Sequence, residues 1–217
     1  MPNEEKLPKD GQSRVGWAYE VADDLKRTEA RFDAWAECYD DDVSSLLDWR
    51  APAEAAKATQ RHVPHSARIL DAGAGTGLVG QILFAHGYDN IVATDISRAM
   101  LDIAEAKGVY RALHKANLME PLGFADCSFD AVLSIGTSGY VSGPVIAEFA
   151  RITAPGGHIV YTVSDTRYVE GRFEAEVDAL SRAGLVSVVE TGPEFAAIPR
   201  ADADHMARVH VLQKGPA

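Results

Sequence analysis

The chain has 217 residues, 47% of them hydrophobic and 24% charged, values that exclude a disordered or fibrous polypeptide and fit one globular domain. Thirty-two acidic against 21 basic side chains leave a net charge of −11. That balance repels a phosphate backbone unless cations gather on one face, and nothing in the sequence gathers them, which sets nucleic acid aside as a partner. No stretch is apolar for long enough to span a membrane. The N-terminal MPNEEKLPKD lacks the apolar segment of a secretory signal. Cys38 and Cys127 form no ligand or disulfide pattern, so a cytoplasmic setting is expected.

Residues 1–15 are polar and aperiodic and read as a flexible tail. From about Val15 to Thr59 the pattern is helical: Val21, Leu25, Phe32 and Trp35 recur at helical intervals, and residues 51–60 are rich in alanine. Residues 16–62 are therefore expected to form a helical cap, and 63–217 the core. The core opens with a strand at Arg68–Leu70, a glycine-rich loop at Asp71–Gly77, and a helix from Leu78 to His86 stopped by Gly87. A second strand at Ile91–Thr94 leads to a helix capped by Ser97 and ended by Gly108. A weak third strand lies near Tyr110–His114, and a fourth at Phe129–Ile135. A short helix from Pro144, a turn at Ala154–Gly157 and a fifth strand at His158–Val163 follow. After a helix at Arg167–Ala183, Leu185–Val189 and Ala207–Leu212 read as two last strands with no helix between them, hence an antiparallel pair. Strands alternating with helices predict a Rossmann-like, doubly wound α/β fold: a mostly parallel seven-stranded sheet, antiparallel at its last strand, behind a helical N-terminal cap.

In such sheets ligands bind at the carboxyl ends of the strands, and the first loop is the usual cradle. Two cofactor classes fit that loop. Gly75-x-Gly77-x-x-Gly80, with Asp95 twenty residues after Gly75, matches the dinucleotide fingerprint and would suit an NAD-dependent oxidoreductase. Asp71-x-Gly73-x-Gly75-x-Gly77 matches the loop of methyltransferases that use S-adenosylmethionine. Charge separates them: a carboxylate at the mouth of the loop repels a pyrophosphate but attracts a sulfonium and an α-ammonium. Asp95, ending the second strand, can accept from ribose hydroxyls in either case.

ILDAGAGTG, ATDISRAML, NLMEPL, FDAVLSIG and APGGHIV, in that order, resemble the motifs of class I S-adenosylmethionine-dependent methyltransferases. LDAGAGTGLVG, AEAKGVYRALHKANLMEPL and FDAVLSIGTSGYVSG are more narrowly similar to the methyltransferase-like proteins named after the Williams–Beuren syndrome region. The resemblance implies that S-adenosyl-L-methionine is the cofactor and S-adenosyl-L-homocysteine the product. It places Asp71, Gly73, Gly75 and Gly77 around the methionine end, Asp95 on the ribose, and Ile96 and Met100 against the adenine. It puts Asn117, where the family usually has Asp, on the adenine amino group, with Leu118 beside the ring and Ser134 facing the cofactor. Tyr39 resembles a tyrosine that reaches the methionine carboxylate.

Methyl transfer asks the protein chiefly to align two reactants, so the lack of an obvious acid–base pair is compatible with it. The segment Ser134–Tyr140 holds neither the Asn/Asp-Pro-Pro-aromatic tetrad of DNA amine methylation nor a Pro-Cys nucleophile, which leaves a small-molecule acceptor as the expectation. Trp35, Tyr140, Arg167 and Tyr168 are candidates for the acceptor pocket, and His158 and His205 for a base. No metal set emerges, and Asp40-Asp41-Asp42 reads as a solvated helix face. No Walker sequence is present. A cofactor-binding protein without transferase activity, and a protein methyltransferase with an open acidic groove, are the remaining alternatives.

Overall fold

The computed structural model describes residues 6–10, 13, 14, 16, 17, 20, 24–141, 144–164 and 170–216, with 170–172 in backbone only. The expected helical positions Val15 and Val21 lie outside the described residues, as do most of residues 1–15. Of that segment, Leu7 packs on the cap and Arg14 pairs with Asp42.

Asp24 accepts from the Arg27 amide at 3.1 Å and starts α1 (Leu25–Asp41), as a short side-chain acceptor does at an N-cap. The helix runs into one π turn (Asp42–Leu47), which ends where Asp48 takes a left-handed conformation, φ 54°. Such turns are local departures from α geometry that concentrate at functional sites. Helix α2 (Ala51–His62) follows with Pro52 in its first turn, where the missing N–H costs nothing.

The core alternates β1 (Ile69–Ala72), α3 (Leu78–Ala85), β2 (Ile91–Asp95), α4 (Arg98–Ala106), β3 (Ala112–Lys115), β4 (Phe129–Ser134), α5 (Ile146–Ile152), β5 (Thr153–Ser164) and α6 (Glu170–Arg182). It closes with β6 (Val186–Thr191), β7 (Phe195–Ile198) and β8 (Asp202–Lys214). Strand order is β3-β2-β1-β4-β5-β8-β6, with β7 paired to β8 off this path. The strands from β3 to β5 are parallel, and β8 runs antiparallel to both β5 and β6. The seven expected strands are present. The eighth, β7, forms a hairpin with an unexpected N-terminal extension of β8. The turn expected at Ala154–Gly157 is a bulge inside β5: Phe129 faces Thr153, while Ala131, two residues on, faces His158.

Period-two alternation sorts the strands' side chains into two cores. Leu70, Val132 and Ile159 face α5 and α6, packing on Phe149, Ile152 and Val177. Ile69, Ala131, Leu133 and Val160 face α2 and α3, where Ala51, Ala55 and Ala58 let the helix lie close to the sheet. Cap helix α1 lies over α4 at the carboxyl edge of the strands. Among the described residues, no helix is long and apolar enough to cross a membrane.

Candidate active site

Where β1 and β2 end, the chain turns back through Gly73–Gly77, tied down by its own amides. Gly73 and Ala74 donate to the Thr94 carbonyl at 2.8 and 2.9 Å. Asp95 takes the Gly75 amide on one carboxylate oxygen and the Ser97 amide on the other, each at 2.8 Å. The acid thus joins the glycine loop to the start of α4. Burial pushes Asp95 up from the ordinary carboxylate range, against the pull of those amides. Each oxygen keeps a lone pair for a ligand hydroxyl. Ser97 caps α4 as expected, accepting from the Met100 amide.

Gly75 shows what the loop is for. Its φ is +55°, and a Cβ built there meets nothing within 4 Å. The backbone is left-handed and faces open space, so a ligand can approach the main chain. That space is a cleft of about 1250 Å³, counting the volume open at its mouth. Of the expected site residues, Tyr39, Gly73, Gly75, Asp95, Ile96, Met100, Asn117 and Leu118 line it. Asn117 accepts from the Met119 amide and donates to Glu120, each at 3.0 Å, which fixes the turn that presents Leu118.

Asp71, Gly77 and Ser134 do not line the cleft. Asp71 alternates with Leu70 and Ala72 and so lies on the α3 face of β1, 1% exposed, accepting from the Tyr110 hydroxyl at 2.7 Å. Burial, and then the charge of Asp95, raise its pKa to about 7, against the Tyr110 hydrogen bond. The expectation that this carboxylate stands at the mouth of the loop, and the charge comparison built on it, are therefore corrected: strand alternation turns the side chain away. Ser134 is buried, donating to the Ala72 carbonyl at 3.1 Å and accepting from the Thr137 hydroxyl at 2.7 Å.

The same geometry answers the dinucleotide spacing. The Tyr110 ring covers Gly77 and Gly80; a Cβ at Gly80 would stand 2.2 Å from its hydroxyl oxygen. Those two glycines make room for a tyrosine, and the Gly75 amide that could meet a pyrophosphate is bonded to a carboxylate. No lysine or arginine is among the described residues lining the cleft.

The cap closes the other side. Phe32, Trp35 and Tyr39, on one face of α1, project into the cleft and meet Val43, Leu47 and Trp49 of the π turn and its exit. The adjoining edge of α1 is clasped to the core by polar contacts. Asp33 accepts from the Ser97 hydroxyl at 2.5 Å and the Ala99 amide at 3.2 Å. Asp40 accepts from the Thr76 hydroxyl at 2.5 Å and from Lys107 at 2.6 Å. Asp42 is buried between Trp35 Nε1, at 2.7 Å, and Arg14 Nη1, at 2.9 Å. The solvated face expected for Asp40-Asp41-Asp42 is thus correct for Asp41 alone; the other two hold the cap. No group of acidic, histidine or cysteine side chains among the described residues could hold a metal.

Trp35 and Tyr140 line the cleft as expected for an acceptor pocket, whereas Arg167 and Tyr168 lie outside the described residues. Neither His158 nor His205 lines it. His158 sits level with the start of β1, at the far edge of the sheet, beside His62. Phe32, Thr76, Trp49, Thr137 and Ile198 were not anticipated. Phe32 and Trp49 had an aromatic signal in the sequence; Ile198 had none, because its strand was not foreseen.

Residues 70–161 match the model of a methyltransferase domain. The chain is 38% identical over 184 residues to human methyltransferase-like protein 27, an alignment spanning 80% of this chain and 74% of that protein. Among solved structures it is similar to an S-adenosylmethionine-dependent methyltransferase from Mesorhizobium loti, with TM-score 0.56 and 20% identity over 75% of this chain and 100% of that one. A TehB-like S-adenosylmethionine-dependent methyltransferase from Corynebacterium glutamicum gives TM-score 0.60 and 24% identity, covering 83% and 98%.

Proposed function

The chain belongs to the class I S-adenosylmethionine-dependent methyltransferases, and on that premise we propose that it methylates a small molecule held beneath the cap. The observation that carries this reading is one continuous cleft whose walls come from the glycine loop on one side and from cap helix α1, the π turn and the loop after β4 on the other. A two-reactant transfer needs such a cleft; a cofactor store needs only half of it.

We assign the nucleoside end of the cofactor to Asp95, Ile96, Met100, Asn117 and Leu118, and its methionine end to Gly73, Gly75 and Tyr39. The lining fits this group: an open backbone at Gly75, a carboxylate for hydroxyls, apolar side chains for a flat base and, among the described residues, no cation that asks for a phosphate. Asp71, Gly77 and Ser134 support the loop from behind. When bound, the cofactor supplies a methyl group already activated on a positively charged sulfur. The protein's part is placement and exclusion of water. Trp35, Val43 and Leu47, each under 5% exposed, keep the cap side dry. The Asp33 and Asp40 clasps hold α1 over the bound pair, and proximity of this kind supplies roughly 7–11 kcal/mol of a barrier.

The acidic balance supports a small acceptor rather than nucleic acid, and two unpaired cysteines suit a reducing compartment such as the cytoplasm. The test is incubation with methyl-labelled S-adenosylmethionine and a fractionated cell extract. Label should pass to the low-molecular-weight fraction. Label appearing only on protein or nucleic acid would overturn the reading.

A further inference from the structure

Resting on that methyl-transfer reading, we infer that the acceptor is a neutral, planar nitrogen heterocycle, methylated on a ring nitrogen. The cap end of the cleft is an aromatic box. Trp35 and Tyr39 meet edge to face at 4.8 Å between centroids, and Phe32 and Tyr140 at 5.1 Å, across the gap from α1 to the loop after β4. Trp49 completes the box 6.5 Å from Tyr39. Its ring fills the space beside Gly136, where a Cβ would come within 2.6 Å of Cζ2. Trp35 is held by its indole N–H on buried Asp42, a charged acceptor that also polarises the ring.

The floor of the box belongs to the unexpected hairpin. Ile198 of β7 lines it, and the hairpin is latched to the cap by Arg50 N on the Ala197 carbonyl at 3.0 Å and Arg200 N on the Leu47 carbonyl at 3.3 Å. These elements take no part in the glycine loop, so they shape a second ligand rather than the cofactor.

Charge and proton supply narrow that ligand. Asp95 is the one charged side chain among the described lining residues, and both its oxygens hold backbone amides. An anionic acceptor would enter an apolar box in which no described lining residue is a cation, leaving the cofactor's sulfonium alone to offset a desolvation cost of several kcal/mol. An aliphatic amine is almost wholly protonated near pH 7, with a pKa around 10, and needs a base to expose its lone pair; no histidine or lysine is among the described lining residues. A ring nitrogen of the imidazole type, with a pKa around 6.5 or below, carries a free lone pair at neutral pH and requires no base.

The step balances without a proton. The ring nitrogen's lone pair forms the N–C bond to the methyl carbon as the S–C bond breaks, and that bonding pair stays on sulfur. The positive charge passes from sulfur to the heterocycle. The aromatic faces that attract the sulfonium then attract the product cation, an interaction worth about 0.5–2 kcal/mol per desolvated face.

The test uses the full chain saturated with S-adenosylhomocysteine and three bicyclic probes: isoquinoline, naphthoate and naphthylmethylammonium, each titrated calorimetrically. Isoquinoline should bind at least about tenfold more tightly than naphthoate; naphthylmethylammonium, which the aromatic faces also attract, should bind without being methylated at neutral pH. With S-adenosylmethionine, isoquinoline should yield the N-methylisoquinolinium ion by mass spectrometry, at a rate independent of pH above the ring nitrogen's pKa. Trp49→Leu should weaken isoquinoline binding by about tenfold while S-adenosylhomocysteine still binds, which shows that the variant is folded. If isoquinoline fails to bind, if naphthoate binds as well, or if naphthylmethylammonium, or naphthalenethiol offered as a further acceptor, is turned over in its place, this inference is overturned and the methyltransferase assignment stands. Failure of the parent chain to bind S-adenosylhomocysteine overturns both.

Discussion

The two ends of the cleft are built by opposite means. At the glycine loop, main-chain amides and one carboxylate within a span of some thirty residues do the holding: Thr94 and Asp95 pin Gly73–Gly75, and the Ser97 amide holds Asp95. At the cap end, side-chain rings do it, and they arrive from α1, the π turn, the loop after β4 and strand β7. The first end is polar, local in sequence and rigid through backbone hydrogen bonds. The second is apolar and assembled from three distant segments, α1 with its π turn counting as one. A chain can therefore keep its cofactor while changing its acceptor, because, Tyr39 apart, the residues that specify one are not those that specify the other.

Substitutions can break that division or sharpen it. Asp95→Ala should have the largest effect, because it strands two buried amides at about 1–3 kcal/mol each. S-adenosylhomocysteine affinity should fall by about a hundredfold or more in calorimetry, with little change at the cap end if the ends are independent.

Asp71→Asn comes next, and it is a stability effect. The folded chain holds the Asp71 proton up to about pH 7, whereas an ordinary aspartate releases it near pH 3.8. The stability this raised pKa contributes is fully present below pH 3.8 and is lost as pH rises through 7, a change on the order of a few kcal/mol. Asparagine still accepts from Tyr110 but does not titrate. The melting temperature of the parent should fall between pH 5 and pH 8 more steeply than that of the variant (roughly one to two pKa units on either side of the Asp71 transition).

Gly136→Ala sharpens the comparison from the other side. The residue has φ +74°, and its new methyl would press on Trp49. The strain should be about 1–3 kcal/mol in denaturant unfolding, and acceptor binding should weaken while S-adenosylhomocysteine affinity holds. Lys107→Ala, which removes the ion pair to Asp40 at 2.6 Å, should have the smallest effect. It should speed cofactor release a few-fold at low ionic strength and much less at high salt.

What could be read in the sequence follows the same division. The glycine loop, Asp95, the Ser97 cap and the parallel core were legible because each is a contiguous signal. The placement of Asp71 was readable and missed: with Ile69 on the α3 face, alternation alone puts residue 71 there too. Tyr110 explains Gly77 and Gly80, yet it lies thirty residues downstream and carries no local mark. The clasps of Asp33 and Asp40 look in sequence like an ordinary acidic helix surface, because a solvated carboxylate and a capping one differ only in what faces them. Strand β7 was missed because Phe195-Ala196-Ala197-Ile198 is short and its partner is the strand extension Asp202-Ala203-Asp204-His205-Met206, whose Asp and Ala residues have weak strand propensity. Ile198 went unseen with it.

The most direct test of the division between the ends is hydrogen–deuterium exchange of the full chain with and without S-adenosylhomocysteine. Protection concentrated on residues 73–77, 95–100 and 116–119, with the π turn and the β7–β8 hairpin nearly unchanged, is the predicted result. Protection centred on residues 43–49 and 195–201, with the glycine loop exchanging as before, would contradict it and place the cofactor at the cap end instead.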